Sequence, residues 1–110
     1  MGRTYTLYGV TASNLDEAAK IVERLLGVTF VARNGYHMGG DYFDFRDVKT
    51  SSGVVLKENI LEDDEIHELK FPDEKIILYI DNYAPDSPFN RTLEANAQIF
   101  RKLREETLPG

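Results

Sequence analysis

Few side chains in this sequence are of the kinds that perform catalysis or bind metals. The chain has no cysteine, and neither of its two histidines, His37 and His67, has a second histidine at metal-ligand spacing. Its serines lie in capping or turn contexts and not in a nucleophile elbow of the form GxSxG. The sequence therefore predicts a protein that is not an enzyme and has no cofactor or metal site.

Acidic side chains are more informative than nucleophiles here. Between Lys57 and Glu74 there are eight acids against two lysines. Such a run is commonly a solvated loop, but it can also steer and dock a basic partner. We predict partner-binding residues in this run and in the aromatic segment before it: Glu62, Asp63, Asp64, Glu65, Glu68, Asp73, Glu74, Tyr36, His37, Tyr42 and Asp44.

The segment from Asn34 to Gly40 superficially resembles a phosphate-binding loop because it contains three glycines. It lacks the lysine and the strand-to-helix placement on which such loops depend. A hairpin loop whose glycines permit positive φ is the favoured interpretation. His37 lies in this loop and is therefore the better functional candidate of the two histidines.

The overall charge limits the kinds of partner. With 19 Asp and Glu against 13 Lys and Arg, the formal charge is −6, which disfavours direct binding of nucleic acid and favours a cationic protein. No signal peptide is visible at the start, and no apolar run approaches the roughly 20 residues that span a bilayer. We expect a soluble, cytoplasmic protein without membrane contact, formed by one domain over residues 1–110.

The elements that must position these residues follow from apolar spacing. A strand is predicted over 4–10, and a capping box at Ser13-Asn14 starts a helix that Gly27 ends. Further strands are predicted over residues 28–33, 41–46, 53–60 and 76–80. The last of these is almost wholly apolar, which is typical of a central strand, and residues 62–74 before it are predicted to form an exposed connection.

A second helix is predicted to close the chain. Ser87-Pro88 provides an N-cap followed by proline at the first helical position, and apolar residues at helical spacing continue as far as Leu103. The order is then β-α-β-β-β-β-α. It predicts an α+β fold with a mostly antiparallel sheet of about five strands and both helices packed on one face, which leaves the other face for a partner.

Three segments together resemble a known family. The chain is similar to the small immunity proteins of bacterial polymorphic toxin and contact-dependent growth inhibition systems. The similarity lies in the segments TLYGVTASNLDEAAKIVERLLGVTF, YHMGGDYF and, before the terminal helix, ILYIDNY. The resemblance implies a cytosolic inhibitor that binds the C-terminal domain of its cognate toxin, often a basic nuclease, and occludes the active site. In that mechanism carboxylates take the place of substrate phosphates.

An alternative comes from the order of the first elements. Strand, helix and three strands through Ile60 also resemble the βαβββ module of vicinal-oxygen-chelate proteins, which bind small molecules or metals. Glu58 falls on the last strand of that unit, where a ligand acid would lie. The first strand offers no histidine, and the second half of the chain does not repeat the module.

Overall fold

The structure is a computed structural model that describes residues 3–35, 38–61 and 65–109. The elements follow one another as β1 Arg3–Val10, α1 Leu15–Leu26, β2 Val31–Gly35, β3 Gly40–Asp47, β4 Ser52–Glu58, β5 Ile76–Asp81, α2 Pro88–Glu94 and β6 Phe100–Leu108. Across these ranges the chain forms a six-stranded antiparallel sheet and two helices. The predicted α+β class is confirmed.

The strands are ordered β2-β3-β4-β5-β1-β6 across the sheet, with every neighbouring pair antiparallel. β5 lies between β4 and β1, and Ile77, Leu78 and Ile80 are fully buried. This confirms the prediction of a central strand, because a strand covered on both faces needs an almost continuous apolar run. β2 and β6 form the two edges.

Local chemistry at α1 follows the predicted capping box. The side chain of Asn14 accepts a hydrogen bond from the Glu17 amide at 2.8 Å, and the Glu17 carboxylate accepts one from the Ser13 amide at 3.3 Å. Gly27 ends the helix at φ 69°, a left-handed conformation that glycine adopts without strain. Both helix boundaries were therefore readable from the sequence.

Both helices cover the same face of the sheet. Val22 of α1 and Leu93 of α2 belong to one buried cluster with strand residues such as Tyr8, Leu56 and Leu78. Within this core the Tyr8 hydroxyl donates a 2.7 Å hydrogen bond to the side-chain oxygen of Asn90. A hydroxyl enclosed in apolar surroundings needs such a partner, so Asn90 ties α2 to β1.

The C-terminal segment differs from the prediction. The second helix begins at Pro88 with Ser87 as N-cap, as predicted, but it ends at Glu94. Residues Phe100–Leu108 form β6, which pairs with β1 along its whole length. Phe100 reaches the core as the strand partner of Val10, so it supplies apolar burial without continuing the helix.

The segment after β4 also differs from the prediction, because its described residues are not simply exposed. The buried side chain of Asn59 donates to the carbonyls of Phe71 and Glu74, each at 2.9 Å, and accepts a 2.7 Å bond from the Glu68 amide. These bonds tie the end of β4 to the second half of the connection. The predicted strand over 53–60 is correspondingly shorter and ends at Glu58.

In the three described ranges, no helix is both long enough and apolar enough to cross a membrane.

Candidate functional site

The predicted partner-binding residues separate into distinct places. Tyr36, His37, Glu62, Asp63 and Asp64 lie outside the described residues. Among the others, Glu65 and Asp73 are exposed on the connection after β4, and Tyr42 lines a pocket at one end of the sheet. Asp44, Glu68 and Glu74 are held by arginines, as described next.

We call the side of the sheet opposite the helices the outer face. There Glu68 accepts hydrogen bonds from Arg104 at 3.1 and 3.3 Å and from the Tyr79 hydroxyl. Glu74 is paired in the same way with Arg101. The side chains of Glu68 and Glu74 are only 14% and 16% exposed, so little of either is available to a second cation.

Asp44 is another acid that is already paired. It lies on β3, is almost fully buried, and its two carboxylate oxygens meet Arg33 at 3.1 Å and Arg46 at 3.5 Å. Such pairing neutralises a buried charge and orders the side chains around it. Three of the predicted acids therefore belong to internal ion pairs.

The charges around Glu68 shift its titration. Burial alone raises the pKa of Glu68, but the hydrogen bonds from Arg104 and Tyr79 outweigh burial and hold the pKa below its ordinary value of 4.5. Burial and the bond to Glu68 raise the pKa of Tyr79 above its usual range. Glu68 is thus stabilised as an anion and Tyr79 as a neutral donor.

Lys57 lies next to this network and, unlike most lysines, is buried. Its side chain is fully buried, and its ammonium nitrogen donates to the carbonyls of Glu58 at 2.6 Å and Ile60 at 3.0 Å. Burial lowers the pKa of Lys57 to about 8. Lysines with a lowered pKa often act as nucleophiles, but this amine is enclosed and bonded to backbone, so the arrangement supports a structural role.

His67 completes the group. Its ring lies edge-on to Tyr79, with 6.2 Å between the ring centroids. Burial, reinforced by the charge of Lys57, lowers the pKa of His67 below its ordinary value. Burial thus favours the neutral form of His67, whose ring packs beside Tyr79.

A second group of acidic side chains lies at one end of the sheet. A pocket of about 460 Å³ opens between the start of α1 and the adjoining ends of β2, β3 and β4. It is lined by three exposed carboxylates, Asp16, Asp41 and Glu58, which we call the pocket acids. The antiparallel pairing explains the convergence, because the start of β3 lies beside the end of β4.

The pocket acids differ from the outer-face acids in their partners. Across the described parts of the chain, none of the three forms a salt bridge with Lys or Arg. Asp41 accepts a 2.8 Å hydrogen bond from the Asn34 side chain, which is neutral. Arg33 also lines the pocket, but its guanidinium is bonded to Asp44. The pocket thus keeps a negative excess.

The pocket walls suit a long cationic side chain. Leu15, Ala32, Tyr42 and Phe43 provide apolar surface beside the acids. Lysine and arginine carry apolar stems below their charged ends, so a wall of this composition contacts the stem while carboxylates receive the charge. No group of three or more metal-ligating side chains with suitable geometry is present within residues 3–35, 38–61 and 65–109.

Only part of this site is predictable from the sequence. Tyr42 was predicted for partner binding, and Glu58 was singled out as a candidate ligand acid. Asp16 falls within the helix predicted after Ser13-Asn14 and Asp41 within a predicted strand, and neither is among the predicted binding residues. Positions 16, 41 and 58 are distant in sequence, and only the order of β2, β3 and β4 next to α1 brings them together.

The fold and the pocket define a small α+β domain with a concave acidic surface. Comparison of the chain with models of protein families, with curated proteins and with solved structures gave no match.

Proposed function

We propose that this protein binds a basic partner protein and that the pocket acids receive a lysine or arginine side chain of that partner. The observation that carries the proposal is the contrast in pairing: Glu68 and Glu74 are held by arginines of the same chain, whereas the pocket acids are exposed and unpaired among the described residues. Unpaired carboxylates in a concavity leave strong acceptors for a cation that comes from outside.

The immunity-type inhibitor is the specific form of this proposal. A net charge of −6 accelerates the encounter with a basic toxin domain, and a carboxylate that binds an active-site lysine or arginine competes with substrate phosphate. The resemblance noted in the sequence supports the same class of partner. The function proposed is therefore neutralisation of a cognate toxin by direct occlusion.

The test is a binding measurement at low salt with the basic toxin domain encoded beside this protein. Glu58→Gln, Asp16→Asn and Asp41→Asn each remove one charge from the pocket, and each is expected to weaken binding about tenfold. Asp86→Asn removes one exposed charge before α2 and serves as the matched control, with an expected change within about twofold.

Three results would count against the proposal. Absence of binding by the wild-type protein would reject the partner class. Equal losses for Asp86→Asn and for the pocket variants would show that net charge acts without a specific site. A loss confined to Asp63→Ala, Asp64→Ala and Glu65→Ala would move the site to the acidic run predicted from the sequence.

A further inference from the structure

β6 is an edge strand rich in charged side chains. It pairs with β1 on one side only, so the main-chain groups along its other side have no strand partner in the described sheet. Edge strands of this kind are open to pairing with another chain, and charged side chains normally discourage indiscriminate pairing. The order of charges in Arg101-Lys102-Leu103-Arg104-Glu105-Glu106 therefore decides which strand can pair here.

A β-bulge changes which side chains share a face. Lys102 is opposite Tyr8 and Arg104 is opposite Leu7, so Leu103 is the extra residue. In a regular strand, residues 102 and 105 would point to opposite faces. Because of the bulge, Glu105 lies opposite Thr6, on the same face as Lys102, and the two side chains meet at 2.6 Å.

The same shift places Arg101 and Glu106 together on the outer face. Arg101 lies opposite Gly9 and Glu106 lies opposite Tyr5, and both of these β1 positions face away from the helices. On the helix side of the edge, Lys102 precedes Leu103 and Glu105 follows it. On the outer face Arg101 precedes Leu103, while Arg104 and Glu106 follow it, and Arg104 is already paired with Glu68. The Lys102–Glu105 and Arg101–Glu106 sets are each their own complement when a second identical strand runs in the opposite direction, and Arg104 falls opposite Leu103.

From this pattern we infer that β6 pairs with β6 of a second copy of this chain, in an antiparallel arrangement centred between Leu103 and Arg104. In that register Lys102 lies opposite Glu105 of the second copy, and Arg101 lies opposite Glu106. The two-fold symmetry repeats both pairs, so four cross-strand pairs of opposite charge form. Two six-stranded sheets then join into one continuous sheet.

The strength of this contact is limited. In the single chain Lys102 already contacts Glu105 and Glu94, Arg101 is paired with Glu74, and Glu106 lies 3.6 Å from Arg104. Pairing therefore exchanges or shares charged neighbours instead of creating wholly new charge pairs. New main-chain hydrogen bonds along the edge provide the gain, over an interface smaller than that of most permanent dimers. The dimer is expected to be weak, concentration-dependent and selective for this register.

Charge exchange tests the inference. Sedimentation equilibrium over a wide concentration range is expected to show a monomer–dimer equilibrium for the wild type. Lys102→Glu alone and Glu105→Lys alone each place like charges opposite one another and are expected to raise the dimer dissociation constant at least about tenfold. The double variant restores opposite charges and is expected to return within about threefold of wild type.

Lys20→Glu on the exposed face of α1 is the matched control, with the same charge change as Lys102→Glu and no expected effect. Thermal unfolding of each variant separates loss of pairing from loss of fold. A wild-type protein that stays monomeric at every concentration overturns the inference. So does a double variant that dimerises no better than the two single variants.

Cysteine pairing tests the register itself, because the natural chain has no cysteine. When Lys102→Cys and Glu105→Cys chains are mixed and oxidised, the mixed disulfide is expected to form at least about tenfold faster than either symmetric one, since the two positions face each other. Equal rates for all three products would contradict the proposed register.

Discussion

The outer face and the pocket use the same kind of side chain for opposite purposes. On the outer face, the Glu68 side chain is only 14% exposed and is bonded to Arg104 and Tyr79, so its charge is neutralised within the molecule. At the pocket, Glu58 is exposed and forms no salt bridge with the described Lys and Arg residues. The comparison shows that the density of acids along a sequence does not reveal which carboxylates are already paired within the fold, whereas the positions of the Lys and Arg side chains do.

Lys57 offers the strongest way to test the structural half of this comparison. Lys57→Met keeps an apolar stem but leaves the carbonyls of Glu58 and Ile60 without their donor, and we expect a loss of about 2 kcal/mol in the free energy of unfolding. Glu58→Gln, at the neighbouring position, serves as control with an expected change below about 0.5 kcal/mol. Urea unfolding at neutral pH measures both, and equal effects would erase the distinction between the two regions.

The difference in stability between the wild type and Lys57→Met depends on pH, and its sign follows from the pKa of Lys57. Burial lowers the pKa of Lys57 to about 8, while the unfolded chain has the ordinary value of 10.5. Between these values the unfolded state binds more protons, so raising the pH through this window favours the folded wild type. The difference in unfolding free energy between wild type and Lys57→Met is therefore expected to grow from pH 8 to pH 10.5.

Glu68 gives a smaller effect on the same face. Glu68→Gln weakens the bonds with Arg104 and Tyr79, and we expect a loss of about 1 kcal/mol in unfolding free energy at pH 7. Because the folded-state pKa of Glu68 lies below 4.5, its contribution is present above that pH and disappears as the pH falls through the folded value.

Acid titration of stability checks this prediction. The wild type and Glu68→Gln are expected to converge as the pH falls below about 4.5, whereas above it the wild type is the more stable. Binding of the basic partner at neutral pH is expected to be the same for both proteins, because Glu68 is already paired. A partner that binds Glu68→Gln much more weakly would place the site on the outer face.

Much of the fold was predictable from local patterns. The capping sequence at Ser13-Asn14 and the stop at Gly27 delimit α1, and the apolar run 76–80 identifies the central strand. These features depend on neighbouring residues only, so the sequence carries them directly. The antiparallel α+β class then follows from two amphipathic helices that need one sheet face.

β6 was not predictable in the same way. Phe89, Leu93 and Phe100 continue a helical spacing, and the charged stretch after Phe100 lacks the alternation typical of a strand. An edge strand needs little apolar alternation. β6 is held to the sheet by main-chain hydrogen bonds to β1, and most of its side chains are exposed to solvent, where charged residues are tolerated. The bulge at Leu103 also shifts the residues after it to the opposite faces of the strand, so the sequence of β6 does not follow a regular two-residue alternation.

The two acidic regions show the same limit for side chains. The exposed connection predicted from the sequence folds back because Asn59 binds Phe71 and Glu74, and these contacts span more than ten residues. The pocket acids come from three elements that only the sheet order brings together. Pairing over such distances leaves no local pattern, which is why the run of acids was more conspicuous than the pocket.

The most direct test of the proposed site is an NMR titration of the labelled protein with a hexa-arginine peptide at low salt. The account predicts saturable amide shifts around the pocket, at residues 14–16, 41–43 and 58, which disappear in Glu58→Gln with Asp16→Asn and at high salt. Shifts confined to residues 65–74, or spread evenly over the surface, would contradict it.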